Sequence, residues 1–335
     1  MKRLFYTLFV VSFIPLNLMS QGKISGYSYF DFFYVAQHHN DSIKGMNGFW
    51  FRRIYFTYDH EINENFSSRL RFEMNSPGDY KKRENLTDYI KDAYLKWKLE
   101  AFEFQFGLTP TPTWEVIEDH YGFRSVEKTP VDLQRIGTSR DIGFSLKGGF
   151  GENKKIKYHF TFGNGEGIRS ENNKQKALYL SLSFHLTNFL FEVYGDWFDA
   201  LGHNQKYTIQ GFAGLKNKKF RLGLQYVNQT QLKDHDKTTN FMIASSYFVL
   251  NISESFNFLL RYDKTFEKNP EGKKISYTPF SPEAPSNFVL VAFAMKPHKD
   301  VSVIPNVKYV FYDKEDNIKP KSDMYMSLTF HYNFK

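Results

Sequence analysis

The sequence predicts an all-β fold: a single transmembrane antiparallel β-barrel of about sixteen strands, with a long third loop folded into the lumen. Three observations predict it. Short stretches alternate apolar and polar side chains, and the connections between them alternate long and short. Aromatic residues also make up 19% of a chain whose mean hydropathy is only −0.51. Successive side chains of a strand point to opposite faces, so alternation makes one face greasy and the other wet. About ten residues of such a strand, tilted, cross a bilayer. A soluble core would bury that much Phe among Leu, Ile and Val.

Residues 1–20 read as a secretory signal peptide: Lys2 and Arg3, an apolar run from Leu4 to Leu18, and the small Ser20. The barrel is then 21–335. Losing Lys2 and Arg3 takes the formal net charge from +8 to +6. That balance attracts anions weakly and carries no nucleic-acid motif. No later window is apolar enough for a membrane helix. The absence of cysteine excludes disulfides and thiolate metal sites.

The strands follow in order. Lys23–Gln37 is aromatic and loosely alternating. Phe49–Asp59 puts Trp50, Ile54, Phe56 and Tyr58 on one face, and Glu61–Asn65 is a tight turn. Phe66–Asn75 turns Phe66, Leu70, Phe72 and Met74 outward and Arg69, Arg71 and Glu73 inward. Tyr89–Leu99 turns Ala93, Leu95, Trp97 and Leu99 outward and Lys96 and Lys98 inward, then doubles back into Phe102–Leu108. Eleven further stretches follow: Asp141–Lys147, Ile156–Phe162, Ala177–Leu186, Phe189–Trp197, Tyr207–Leu215, Phe220–Asn228, Phe241–Val249, Phe256–Tyr262, Phe288–Met295, Val301–Tyr312 and Met324–Phe334. The last is the clearest, with Met324, Met326, Leu328, Phe330, Tyr332 and Phe334 on one face.

Longer connections follow odd-numbered strands (164–176, 264–285, 313–322) and short ones follow even-numbered strands (100–101, 187–188, 217–219, 251–255). Outer-membrane barrels have short periplasmic turns and longer external loops, so both termini are expected in the periplasm. A barrel of sixteen strands is wide enough for an aqueous channel. The third loop, 109–140, is long enough to be functional. Its Thr109–Gly122 part is expected to hold a short helix capped by Thr111 or Thr113 and ended by Gly122.

Several pieces between Phe51 and Gly148 resemble the phosphate-selective porin O and P family: Phe51-Arg-Arg-Ile-Tyr55, Asn65-Phe-Ser-Ser-Arg-Leu-Arg-Phe72, Asp92-Ala-Tyr94, Gly107–Pro112 and Ser139-Arg-Asp-Ile-Gly143. The resemblance implies sixteen-stranded trimeric channels whose lumen binds phosphate or other anions through rows of Arg and Lys.

Alternation gives the lumen its own basic set. Arg69, Arg71, Lys96, Lys98, Lys147, Lys157, Arg221, Arg261 and Lys308 are expected to face inward, with Arg124 and Arg135 on the loop. Glu73, Asp92, Glu103, Glu192 and Asp196 face inward too, which departs from an unbroken cationic ladder. On the loop, Glu115, Glu118, Asp119 and His120 are expected at the constriction, where opposed charges orient polar solutes. Adjacent residues seldom converge on one ion, so Glu118–His120 is not expected to hold a metal. Asp313, Glu315 and Asp316 in the last long loop are of a type to bind calcium but read first as a solvated turn, and no cofactor is expected. Gly163–Gly167 opens a loop, not a helix, so it is no phosphate cradle.

A barrel enzyme needs a nucleophile held against a base. Ser183 and His185 lie two apart on one strand face, about 7 Å by strand rise. They are expected to be too far apart for a direct hydrogen bond. The sequence therefore points to passive diffusion of small hydrophilic solutes across an outer membrane, with mild anion preference. A channel that binds phosphate or another specific anion is the alternative. The partners expected are lipid, the solutes and, by the resemblance, two further copies in a trimer; nucleic acid is not.

Overall fold

The computed structural model describes residues 22–82, 84–199, 205–233 and 237–334. The expected signal peptide and Lys335 lie outside them. Sixteen strands form one closed antiparallel barrel, each bonded to its neighbours in chain order, with β1 closing on β16. They are β1 Gly22–Gln37, β2 Asn47–Glu61, β3 Phe66–Asn75, β4 Thr87–Lys98, β5 Phe102–Pro110, β6 Arg140–Phe150, β7 Ile156–Gly163, β8 Ala177–His185, β9 Phe189–Phe198, β10 Lys206–Lys216, β11 Phe220–Lys233, β12 Lys237–Ser253, β13 Phe256–Thr265, β14 Ser286–His298, β15 Val301–Tyr312 and β16 Asp323–Phe334. Closure leaves no sheet edge unpaired, which a barrel in lipid requires.

Every expected strand exists. The alternation of connections fails once: β11 and β12 pair as far as Lys233 and Lys237, where a longer loop was expected. The outer face is apolar all round, with Phe32, Phe56, Phe72, Leu95, Phe106, Leu180, Phe191, Ile209, Leu224, Leu260, Phe293 and Met326 exposed.

Trp50 breaks the expected facing. Tyr29 pairs with Arg53 but Phe30 pairs with Phe51, so Arg52 is an extra residue in β2. Such a bulge turns two consecutive side chains to one face. Trp50 therefore points inward and stacks on Phe33 at 4.0 Å. β4 has a second bulge, where Arg71 pairs with Asp92 and Phe72 with Ile90, leaving Lys91 extra.

The loop from Thr111 to Ser139 crosses the interior. Arg124 Nη1 donates to the Tyr29 hydroxyl on β1 at 3.4 Å, and Thr113 shares a 3.0 Å hydrogen bond with Tyr194 on β9, halfway round the ring. Helix α1 runs Glu115–Tyr121 and helix α2 Pro130–Leu133. Trp114, not a threonine, occupies the N-cap of α1, without a side-chain cap. Thr111 and Thr113 bond to the Thr138 carbonyl instead, stapling the two ends of the loop together. Gly122 ends α1 as expected, at φ 68°. A Cβ there would stand 2.4 Å from Arg221 Nη1.

The interior is not polar throughout. Loop residues Ile117, Tyr121, Phe123, Val126 and Leu133 pack with Tyr247, Val249, Leu259, Phe288, Leu290, Ala292 and Val310, which face inward from β12 to β15. The β13–β14 loop adds Ile275, Phe280 and Ala284 to the same cluster. Half of the lumen is thus a hydrophobic core, and the open, polar space lies along the other half.

Candidate functional site

Two of the cavities of the polar half lie on different faces of α1. The first holds about 250 Å³ and is lined by β1 to β4, the β5–β6 loop and Tyr277. Its basic residues are Arg52, Arg53, Arg71, Lys91, Arg124, Lys128 and Arg140; its acidic ones are Glu73, Glu118, Glu127 and Asp132. Tyr27, Tyr29, Tyr55 and Tyr89 fill the wall between them.

Two carboxylates organise the strand side of this recess. Glu73 is straddled by Arg53 Nε at 3.0 Å and Lys91 Nζ at 3.1 Å. Asp92 is straddled by Arg71 Nη1 at 3.2 Å and by Arg140. The Arg53 and Arg71 guanidinium carbons each lie 4.9 Å from the Tyr55 ring centre, within cation–π range. On the loop side, Arg124 bonds Glu118 at 3.0 Å and Asp132 at 2.9 Å. Among the described residues no carboxylate lies within ion-pair distance of Lys128 Nζ. With Asp31 and Asp92 behind the lining, positive groups exceed negative ones by one. Fixed cations in a confined wet space attract anions and, being already paired, hold them weakly.

Alternation finds Arg71, and the loop reading finds Arg124. It misses Arg52 and Lys91 because bulges set their facing, whereas Arg53, next to the outward Ile54, lies inward by the period itself. A signal was present: Arg52-Arg53 and Lys91-Asp92 are adjacent charges in mid-strand. Without a bulge one of each pair would face lipid, where a midplane Arg or Lys costs about 2–4 kcal/mol.

The other expected residues lie elsewhere. Arg69 pairs with Asp59 at 2.7 Å. Lys96 and Lys98 are on the inner face toward the short-turn end of β4. Arg135 bonds the Lys274 carbonyl at 3.1 Å. Arg221 donates to the His120 carbonyl at 3.2 Å. Arg261 is 1% exposed, paired with Asp263 and bonded to the Lys128 carbonyl; Lys308 is 3% exposed and paired with Glu127. These last two anchor the loop in the apolar half.

Lys147, Glu115, Asp119 and His120 line the second cavity, about 900 Å³, toward the short turns. Glu115 accepts from Lys147 at 3.1 Å and meets His159 Nδ1 at 2.9 Å. Those partners hold its carboxyl well below the usual range despite burial. Asp119, with the surrounding protein, Glu115 and Glu118 all disfavouring its charge, is pushed up to about 6. Burial, with Arg221 and Lys216 nearby, lowers His120 to about 4, so its ring is neutral at pH 7. His120 Nδ1 meets the Tyr247 hydroxyl at 2.5 Å.

Ser183 and His185 do touch: Oγ and Nε2 are 2.9 Å apart. Strand rise fixes the backbone separation, but the imidazole leans along the strand and closes the gap. Among the described residues no carboxylate bonds the other ring nitrogen, so no orienting group completes the pair.

A closed sixteen-stranded antiparallel barrel with an inward loop is the fold of the outer-membrane porins, and solved structures agree. The chain matches an anion-selective porin from Comamonas acidovorans with TM-score 0.68 at 9% identity, covering 94% of this chain and 99% of that one. It matches OmpT of Vibrio cholerae, in a trimer form, with TM-score 0.62 at 10% identity over 94% and 99%. It matches Salmonella typhi OmpF in complex with daunomycin with TM-score 0.65 at 11% identity over 93% and 97%. At these identities the likeness concerns the fold. In sequence, residues 27–115 match the model of the phosphate-selective porin O and P family, bearing out the resemblance over that stretch; the Ser139–Gly143 piece lies beyond it. No curated protein matches the chain.

Proposed function

We propose that the barrel is an outer-membrane channel through which small hydrophilic solutes diffuse passively, with a mild preference for anions. The observation that carries this is the recess holding seven basic and four acidic side chains beside the loop that crosses the lumen. The exposed apolar belt supports lipid on the outside. The long and short connections support an orientation with both termini in the periplasm. The family match and the anion-selective relative support the sign of the selectivity. The OmpT trimer supports a homotrimer. The incomplete Ser183–His185 pair favours a channel over an enzyme.

A phosphate-binding channel is the second reading. It is favoured by the straddled carboxylates, which hold Arg53, Lys91, Arg71 and Arg140 around one small space. Planar-bilayer recording in a potassium chloride gradient tests both. A reversal potential on the anion side supports the first reading, and saturating block of chloride current by phosphate supports the second. Cation selectivity, or no conductance, would reject them.

A further inference from the structure

Where the barrel closes, the β1–β2 loop begins beside the first residue of β16. His38 and His39 start that loop, and their rings stack with centres 4.2 Å apart. Against them lies Asp323, whose side chain is fully buried. His39 Nδ1 is 2.9 Å from Asp323 Oδ1, and the His39 backbone N–H donates to the same oxygen at 2.5 Å. His38 Nδ1 is 4.0 Å from that oxygen. One donor atom from each of the three residues lies within 4.8 Å of the others.

A buried carboxylate needs a positive partner. Among the described residues no Lys or Arg lies within ion-pair distance of Asp323, and two imidazoles stand in that place. We propose that His38, His39 and Asp323 form a site for a divalent transition-metal ion such as Zn²⁺. Tetrahedral donors about 2.1 Å from one ion stand roughly 3.4 Å apart. The observed 2.9 and 4.0 Å fall on either side of that spacing. Binding replaces the Asn40 amide, which now donates to His38 Nδ1 at 2.8 Å, and needs the His39 tautomer that carries its proton on Nε2, leaving Nδ1 free to ligate beside Asp323. The Tyr312 hydroxyl donates to the other Asp323 oxygen and orients the carboxylate from behind. Both histidines line a cavity of about 380 Å³ among the long loops, which gives the ion an entry path and water for its fourth position. Lys81, Lys82, Lys273 and Lys274 line the same cavity and oppose a cation, while Asp79 and Glu84 in the same lining favour one. Two imidazoles and one carboxylate suit zinc, nickel or copper ions better than calcium or magnesium. The ion would tie the first loop to the last strand and lock the seam.

The test is calorimetric titration of the full chain, folded in detergent, free of affinity tags and stripped of metal, with zinc chloride. One saturable site per chain is expected, with the heat saturating at one zinc per chain. Affinity should fall at least tenfold in His38→Ala and in His39→Ala. It should be unchanged in His298→Ala, an exposed histidine, and unaffected by excess calcium. Asp323→Asn should abolish the site if that barrel folds; if it does not, the two histidine variants decide. No saturable binding, or equal binding by both histidine variants and the parent, would overturn the proposal.

Discussion

Glu127 Oε2 lies 2.7 Å from Lys308 Nζ, and the side chains are only 5% and 3% exposed. This pair ties the internal loop to β15 at the edge of the apolar half. Removing one partner leaves a buried charge, at about 3–5 kcal/mol. Lys308→Met should therefore loosen the loop, seen as larger and noisier single-channel currents and faster proteolysis within 111–139. Unchanged currents would show that the apolar contacts alone hold it.

The same carboxylate predicts a pH window. Burial opposes its charge, but Lys308 and Arg52 outweigh that and hold Glu127 at about 2. A depressed carboxyl pKa contributes stability in full above the unfolded value of about 4.3 and loses it as pH falls toward the folded value. Loop anchorage should be constant from pH 7 to 5 and weaken from about pH 4 downward. Current noise against pH measures this, and Glu127→Gln should flatten it.

Asp119 acts in a different range. Its carboxyl sits at about 6 and faces the 900 Å³ cavity. Acidifying from pH 7 to 5 neutralises it and leaves the nearby lysines less opposed. Reversal potentials should shift toward anions over that interval. Asp119→Asn should show the low-pH value at both ends.

Glu73 is expected to hold the recess back from tight binding. Glu73→Gln leaves Arg53 and Lys91 unopposed, so anion preference should rise at least twofold while phosphate block deepens, because a tighter site releases its ion more slowly. Arg53→Gln should do the reverse. Equal permeability ratios in both variants would remove the recess from the conduction path.

Trp50 joins the wall to the long loops, 4.7 Å from the Tyr80 ring and 5.1 Å from that of Tyr277. Trp50 is only partly buried, so Trp50→Ala should cost less than the ~3–5 kcal/mol of a large aromatic cut from a core. It should expose the β13–β14 loop to protease.

Period-two alternation and aromatic content were enough to place all sixteen strands, because lipid outside and a filled interior impose opposite demands on neighbouring positions. The interior was less legible. Alternation marks Arg261 and Lys308 as inward but cannot say that Glu127 and Asp263 will consume their charges. It marks Leu290 and Phe288 only as parts of an apolar strand, since both faces of β14 are greasy. The bulges at Arg52 and Lys91 are one-residue events that a period cannot register, although the adjacent charges announce them. His38 and Asp323 lie 285 positions apart and meet only because the ring closes.

Solutes are expected to pass along β1 to β9, where the polar cavities lie, while the apolar half stays shut. The chain has no cysteine, so single cysteines can be placed at Tyr89, in the recess, and at Leu290, in the core. An anionic thiol-reactive reagent should cut the current of Tyr89→Cys and leave Leu290→Cys unchanged. Loss of current at position 290 with none at position 89 would contradict it.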